Sequence, residues 1–269
     1  MHRRKLICVD MDGTMLRDDQ TISNETQQYF RDLVKQGYYI VITSGRPFRA
    51  IEKYYNQLGL NTPVVCINGG MIYLPKSKTI LFRKTFDKDF VNSIISTIGE
   101  ENFKYILLED IKDNVYLKDD SIEYFFDYKE GMNVIYGPLK DKIQADLDGV
   151  ILELNDSFLR VKLTEVATRI KGINFRFWEN CNIGELYFTN VNKYTSLSLL
   201  AEIYNITNED IICFGDAAND IEMIKRAGIG IAMKNGEKSV QMYSDMVSLE
   251  DNNHDGVMQT LKLLLAGNN

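Results

Sequence analysis

The chain has 269 residues, 45% of them hydrophobic and 26% charged, with a formal net charge of -7. That length carries a large core and leaves room for two unequal domains, and the balance excludes a collagen-like or compositionally disordered chain. The acidic surplus argues against a nucleic-acid partner, because phosphate backbones reward clustered Lys and Arg.

The basic start MHRRK gives way to LICV at 6–9, only four apolar residues before Asp10, too few for a signal peptide or a membrane span. A cytoplasmic protein with no membrane partner is expected. LICV itself reads as a fully buried strand. The segment SNETQQYFRDLVKQG then predicts a helix capped at Ser23 or Asn24, with Tyr29, Phe30, Leu33 and Val34 on its buried face and Gly37 at its end. YYIVIT (38–43) and PVVCIN (63–68) read as two further strands, with a helix over about 48–58 between them. This β-α-β-α-β order predicts a parallel sheet with right-handed crossovers, whose functional residues collect at the carboxyl ends of strands. Asp10, Ser44 and Asn68 fall at such ends.

Between residues 84 and 185 the texture changes. YILLED (105–110) and NVYLKD (114–119) read as paired strands, followed by helices and by strands such as NFRFWEN (174–180) and ELYFTN (185–190). The parallel rhythm then returns with a helix over 194–204, the strand DIICFG (210–215), a helix over 221–227, a short strand GIGIAM (228–233) and a last helix over 256–266. The fold class is therefore α/β, a doubly wound, Rossmann-like parallel-sheet core over 1–83 and 188–269 with an α+β cap inserted over 84–187.

The four cysteines, Cys8, Cys66, Cys181 and Cys213, form no CxxC pair and read as inert thiols of a reducing compartment. His2 and His254 are the only histidines, so a multi-His metal site or a Ser-His-Asp triad has poor support. Chemistry must rest on carboxylates, lysine and hydroxyls.

In an extended segment residues two apart project to one side, so Asp10 and Asp12 can face one site until Gly13 turns the chain. Asp216 and Asp220 follow IICFG in the position that Asp10 follows LICV. If the two loops are neighbours, several carboxylates converge, and close like charges shift their pKa values or need a cation. Mg2+ fits best, because it takes few protein oxygens and leaves positions for water and a substrate phosphate. Ser44, Gly45 and Lys193 offer a hydroxyl, an approachable backbone N–H and an ammonium, which together cradle a phosphoryl group. One carboxylate can then attack phosphorus, and a second, two residues on, can protonate the departing alkoxide and later deprotonate water.

DMDGT (10–14), TSGR (43–46), Lys193 in VNKYTSL and GDAANDIEM (215–223) resemble, in order, the four motifs of the haloacid dehalogenase superfamily. The insert, NGG (68–70) and the late DGV (255–257) resemble its Cof-type (class IIB) phosphatases. The resemblance implies that Asp10 is the nucleophile and a metal ligand, that Asp12 is the acid/base with its backbone carbonyl on the metal, and that Asp216 is the third protein ligand. It places Ser44, Gly45, Lys193 and Asn219 on the phosphate, with Asp220 supporting metal or lysine. Arg46 is either a phosphate contact or the partner of an acid across the loop, and Asn68 either caps a turn or serves the site. Two departures, Tyr194 where the family often has Gly and IAMKNG (231–236) where it often has AMGNA, put Tyr194 and Lys234 at the rim of the pocket.

The resemblance implies a Mg-dependent phosphatase of a small phosphorylated metabolite, a sugar phosphate, nucleotide or cofactor phosphate, working as a monomer or homodimer. Two rivals share these groups: a phosphomutase of the phosphomannomutase type, and a signalling protein that holds an aspartyl phosphate without turnover. An EF-hand starting at Asp10 is ruled out by Met15 and Thr21 where Gly and Glu belong. Asp18 and Asp19 read as turn residues, the acids near 109–120 as solvated turns, His254 as a surface loop, and the aromatics at 124–128 and 175–178 as cap core.

Overall fold

The structure, a computed structural model, describes residues 5–112, 114–119, 132–139, 142–178 and 181–266. The chain divides into two compact units, one made of 1–83 with 192–269 and the other of 84–191.

In the first unit, five parallel strands lie in the order Met246–Val247, Ile229–Ala232, Ile211–Gly215, Leu6–Val9, Tyr39–Ile42. Alternation splits each strand between two cores. Ile7, Val9, Ile40, Ile42, Ile212 and Phe214 pack with Phe30, Leu33 and Leu261 on one face. Leu6, Cys8, Val41, Ile211 and Cys213 pack with Leu197, Leu200, Met223 and Ile224 on the other. The sheet is thus covered by helices on both sides, the doubly wound arrangement, and each fully buried Leu or Ile contributes roughly 1.5–3 kcal/mol. The Asn24–Lys35 helix starts where Ser23 accepts the Thr26 N–H at 3.0 Å, and its Phe30 and Leu33 are buried.

The run at 63–68 behaves differently from its expected place in the parallel sheet. Only Val64–Cys66 is extended, and it touches the parallel sheet through one isolated bridge, Thr43 with Val65. It pairs instead with Met71–Leu74, antiparallel, and that strand with Thr79–Arg83, a small sheet absent from the sequence reading. The cause is local. Ile67, Asn68 and Gly69 have φ of 51°, 51° and 97°, which turns the chain back on itself. A β-branched residue there costs on the order of 1–3 kcal/mol.

In the second unit, six strands lie in the order Ile173–Phe177, Ile183–Phe188, Leu147–Leu154, Phe103–Asp110, Asn114–Leu117, Asn133–Tyr136, all antiparallel except the last pair. Helices Lys88–Ile98 and Arg160–Ala167 bring Phe90, Ile94, Leu163 and Val166 onto Ile106, Leu108, Val150 and Leu152. Phe175 belongs to this core and Phe177 packs against it, whereas 124–128 lies outside the described residues.

One reading of the acids is corrected here. Glu109 and Asp110 end a buried strand rather than lying in solvated turns. Asp110 accepts from the N–H groups of Lys112 (2.7 Å) and Asn114 (3.0 Å), from the Asn114 amide (2.8 Å) and from the Tyr116 hydroxyl (2.9 Å). Burial raises its pKa, but these donors outweigh that and hold the carboxyl below its ordinary range.

Candidate active site

The Leu6–Val9 strand, an interior strand of the parallel sheet, delivers Asp10 at its carboxyl end. Its N–H donates to the Phe214 carbonyl at 3.1 Å, so the first loop is fixed beside the loop that leaves Ile211–Gly215. The two acid-bearing loops are therefore neighbours. Asp10 is buried, and its Oδ1 accepts from Lys193 Nζ at 2.6 Å. Lys193, the first residue of the Lys193–Tyr204 helix, is itself buried and reaches Asp220 Oδ1 at 2.6 Å with the same ammonium. Burial would depress the lysine, yet the Asp10 and Asp220 carboxylates hold its pKa above the usual value.

Asp216 stands across from this pair. Thr14 Oγ1 donates to its Oδ1 at 2.7 Å, and Gly13, at φ 70°, comes so close that a Cβ would overlap its carboxylate. Burial pushes Asp216 up to about 7, with the Asp220 charge adding and the Thr14 hydrogen bond opposing. Burial likewise raises Asp10, Lys193 pulls it back, and Asp220 and Asp216 push it further up.

Carboxylate oxygens of Asp10, Asp216 and Asp220 lie within 4.8 Å of one another. Asp220 is already spent: Oδ1 holds Lys193, and Oδ2 accepts the N–H groups of Asp216 (3.0 Å) and Ala217 (3.2 Å). Among the described residues, Asp10 and Asp216 each use Oδ1 for a side-chain hydrogen bond and leave Oδ2 open. A buried and a half-buried carboxylate, both with raised pKa values and open oxygens, form a donor set that suits a hard divalent cation.

Asp12 and its neighbours are arranged otherwise. Asp12 is extended, with φ -72° and ψ 127°, and its side chain is half exposed. Arg46 grips it with both arms of the guanidinium, Nε to Oδ2 at 2.7 Å and Nη2 to Oδ1, and also meets Gln20. The pairing with an acid across the loop, one of the two readings of Arg46, is thus present in the structure. The fork is bidentate and directional, so it holds the Asp12 carboxylate in one orientation.

Ser44 is buried, and its Oγ accepts the Arg46 N–H at 3.1 Å. Gly45 backs onto the Asn68 side chain, whose Oδ1 accepts from Asn219 Nδ2 at 2.9 Å. Tyr194 packs at the edge of the core with the Arg226 guanidinium 5.5 Å from its ring centre. Lys234 is exposed and pairs with Glu250 at 2.8 Å. Two contributors went unassigned in the sequence. Thr14 steadies Asp216, and Asn235 Nδ2 donates to the Gly13 carbonyl at 2.7 Å. Thr14 sits inside the first motif, which was a usable signal; Asn235 has none short of the folded chain.

A doubly wound sheet that brings acids to the carboxyl ends of its strands, beside a buried lysine at a helix start, makes a site of the phosphoryl-handling kind. The profile described as haloacid dehalogenase-like hydrolase matches residues 7–261, and the chain belongs to that family, among its Cof-type phosphatases. It is similar to 5-amino-6-(5-phospho-D-ribitylamino)uracil phosphatase YitU of Bacillus subtilis (strain 168), 31% identical with 96% of each chain covered. It is also similar to the phosphatase of the same description, YcsE, of that organism, at 26% identity with 96% of this chain and 94% of that protein covered. Among solved structures, a haloacid dehalogenase-like hydrolase from Bacteroides thetaiotaomicron superposes with a TM-score of 0.82 at 27% identity, over 97% of this chain and all of that one. The resemblance drawn from the four motifs thus extends along nearly the whole chain. Among the described residues, no helix is long and apolar enough to cross a membrane.

Proposed function

We propose that the protein hydrolyses a small phosphorylated metabolite in a Mg-dependent reaction through an aspartyl phosphate on Asp10. The observation that carries this reading is the buried Lys193 ammonium, shared between Asp10 and Asp220 at 2.6 Å each, beside the raised carboxyl of Asp216. Asp10, Asp216 and the Asp12 carbonyl would hold Mg2+, which supplies positive charge against the phosphate oxygens.

Lys193 pulls the Asp10 carboxyl back toward its ionised form against burial and aims it, and its ammonium offsets negative charge as the phosphoryl group arrives. An Asp10 oxygen forms a bond to phosphorus as the bond to the leaving oxygen breaks, and Asp12, released from the Arg46 fork and protonated from solvent, gives that oxygen its proton. Asp12, now a carboxylate, takes a proton from water as the water oxygen attacks phosphorus. The acyl phosphate bond breaks, inorganic phosphate leaves and Asp10 is restored. Ser44, Gly45 and Asn219 hold the non-transferring oxygens. The unit over 84–191 is read as the cap that excludes water and selects the leaving group.

The first candidate substrate is 5-amino-6-(5-phospho-D-ribitylamino)uracil, because YitU and YcsE carry its name. A cytoplasmic monomer or homodimer would suffice for such a substrate. The test is phosphate release over a metabolite panel with and without Mg2+. Asp10→Asn is expected to remove Mg-dependent release by several orders of magnitude with the fold intact; near wild-type turnover would reject Asp10 as nucleophile.

A further inference from the structure

The left-handed turn at residues 67–70 has no part in the chemistry above, yet it touches three of the four motif loops. Ile67, Asn68 and Gly69 have φ of 51°, 51° and 97°. Such a run, with a β-branched residue in it, persists only where its surroundings dictate it. Here they do. The N–H groups of Ile67 and Asn68 donate to the carbonyls of Arg46 (3.2 Å) and Ser44 (3.0 Å). The Asn68 carboxamide accepts from Asn219 at 2.9 Å, and Ser196 Oγ donates to the Gly69 carbonyl at 2.7 Å. Gly69 also presses on the start of the Lys193–Tyr204 helix, where a Cβ would overlap the Asn192 carbonyl and lie 3.1 Å from the Lys193 nitrogen.

We propose that this turn is a positioning element of the site, aiming Asn219 through Asn68 and seating Lys193 through Gly69 and Ser196. The inference rests on the phosphatase reading given above. Lys193 bridges two carboxylates at the end of a four-carbon stem, so a small shift at its base breaks both bonds. The base is held on one side by the Asn192–Thr195 capping box and on the other by Gly69. Gly is required at 69 for the left-handed backbone and again for the close approach. Asn219 offers two N–H bonds and one oxygen, and the bond to Asn68 uses one N–H and thereby orients the other groups. Asn68 is a positioning residue, not a catalytic one.

Asn68→Gly keeps the left-handed backbone and deletes only the carboxamide, which separates aim from fold. Wild type, Asn68→Gly, Asn219→Ala and the double variant are assayed together with Mg2+ and p-nitrophenyl phosphate, with melting followed in parallel. Asn68→Gly and Asn219→Ala are each expected to lower kcat roughly tenfold to a hundredfold, and the double variant to lose no more than Asn219→Ala alone, within about twofold. Ser196→Ala is expected to lower kcat about threefold to tenfold with KM unchanged, since it loosens the seat of Lys193 without touching substrate. Multiplicative losses in the pair, or wild-type kcat in Asn68→Gly or Ser196→Ala, would overturn the positioning role while leaving the phosphatase reading in place. A wild-type protein that releases no phosphate would defeat that reading, and this inference with it.

Discussion

Asp10 and Asp12 are two residues apart and chemically identical, and the fold gives them opposite surroundings. Asp10 is buried against Lys193, while Asp12 is half exposed in the grip of Arg46. An acid that must trade protons with leaving group and water belongs at the wetter position. Asp12→Ala is therefore expected to cut kcat roughly 10²–10⁴-fold for alkyl phosphates and much less for an activated aryl phosphate, which needs no proton to leave. Equal loss on both, in a comparison of leaving groups, would argue against the acid role. The spacing of Asp10, Asp216 and Asp220 after two apolar strands was legible in the sequence, because strand ends are marked by composition. The Arg46 fork on Asp12 was open between two readings, because only tertiary structure decides which carboxylate lies across a loop.

At the scale of elements, four of the five parallel strands and most of their helices were legible from runs and periodicity, whereas the two-residue strand Met246–Val247 is too short to show a pattern. Cap and core faces follow from simple alternation. The hairpin over 71–83 was not legible, since it depends on Ile67 taking a backbone conformation that its β-branched side chain disfavours. Asp110 was misread for a related reason: an acid after an apolar run looks solvated until its four donors fold around it. Replacing it leaves those donors without an acceptor. Asp110→Ala is expected to destabilise the protein by about 2–3 kcal/mol in urea unfolding at neutral pH. Its folded pKa lies below the unfolded value, so the wild-type contribution is present above the unfolded pKa and is lost as pH falls through the folded one. The gap between variant and wild type should accordingly narrow in acid; a gap independent of pH would show that the charge is not what matters.

For the whole molecule, the carboxylate cluster links proton binding to stability, and would link both to the proposed metal. Asp216 is raised from its model-compound range to about 7, chiefly by burial and then by Asp220, and Asp10 is raised as well. A folded pKa above the unfolded one means stability that is full below the unfolded value and is lost as pH rises through the folded one. The metal-free protein should therefore lose melting temperature between about pH 4 and pH 7 on this account. Under the proposed function Mg2+ would compete with the proton for the same oxygens, so its stabilising effect should grow over that interval. At a hundredfold excess over Kd it is worth about 2.7 kcal/mol, or roughly 5–10 °C for a chain of this size. Scanning calorimetry with and without Mg2+ checks this, and a Mg2+ effect largest at acid pH would contradict it.

In the proposed mechanism phosphorus passes through Asp10. A reaction with a good substrate and Mg2+, quenched in acid before steady state and digested, is expected to yield the peptide containing Asp10 with one phosphoryl group, and to yield none from Asp10→Asn. Full turnover with no phosphorylated peptide, or with the group on another residue, would contradict the account.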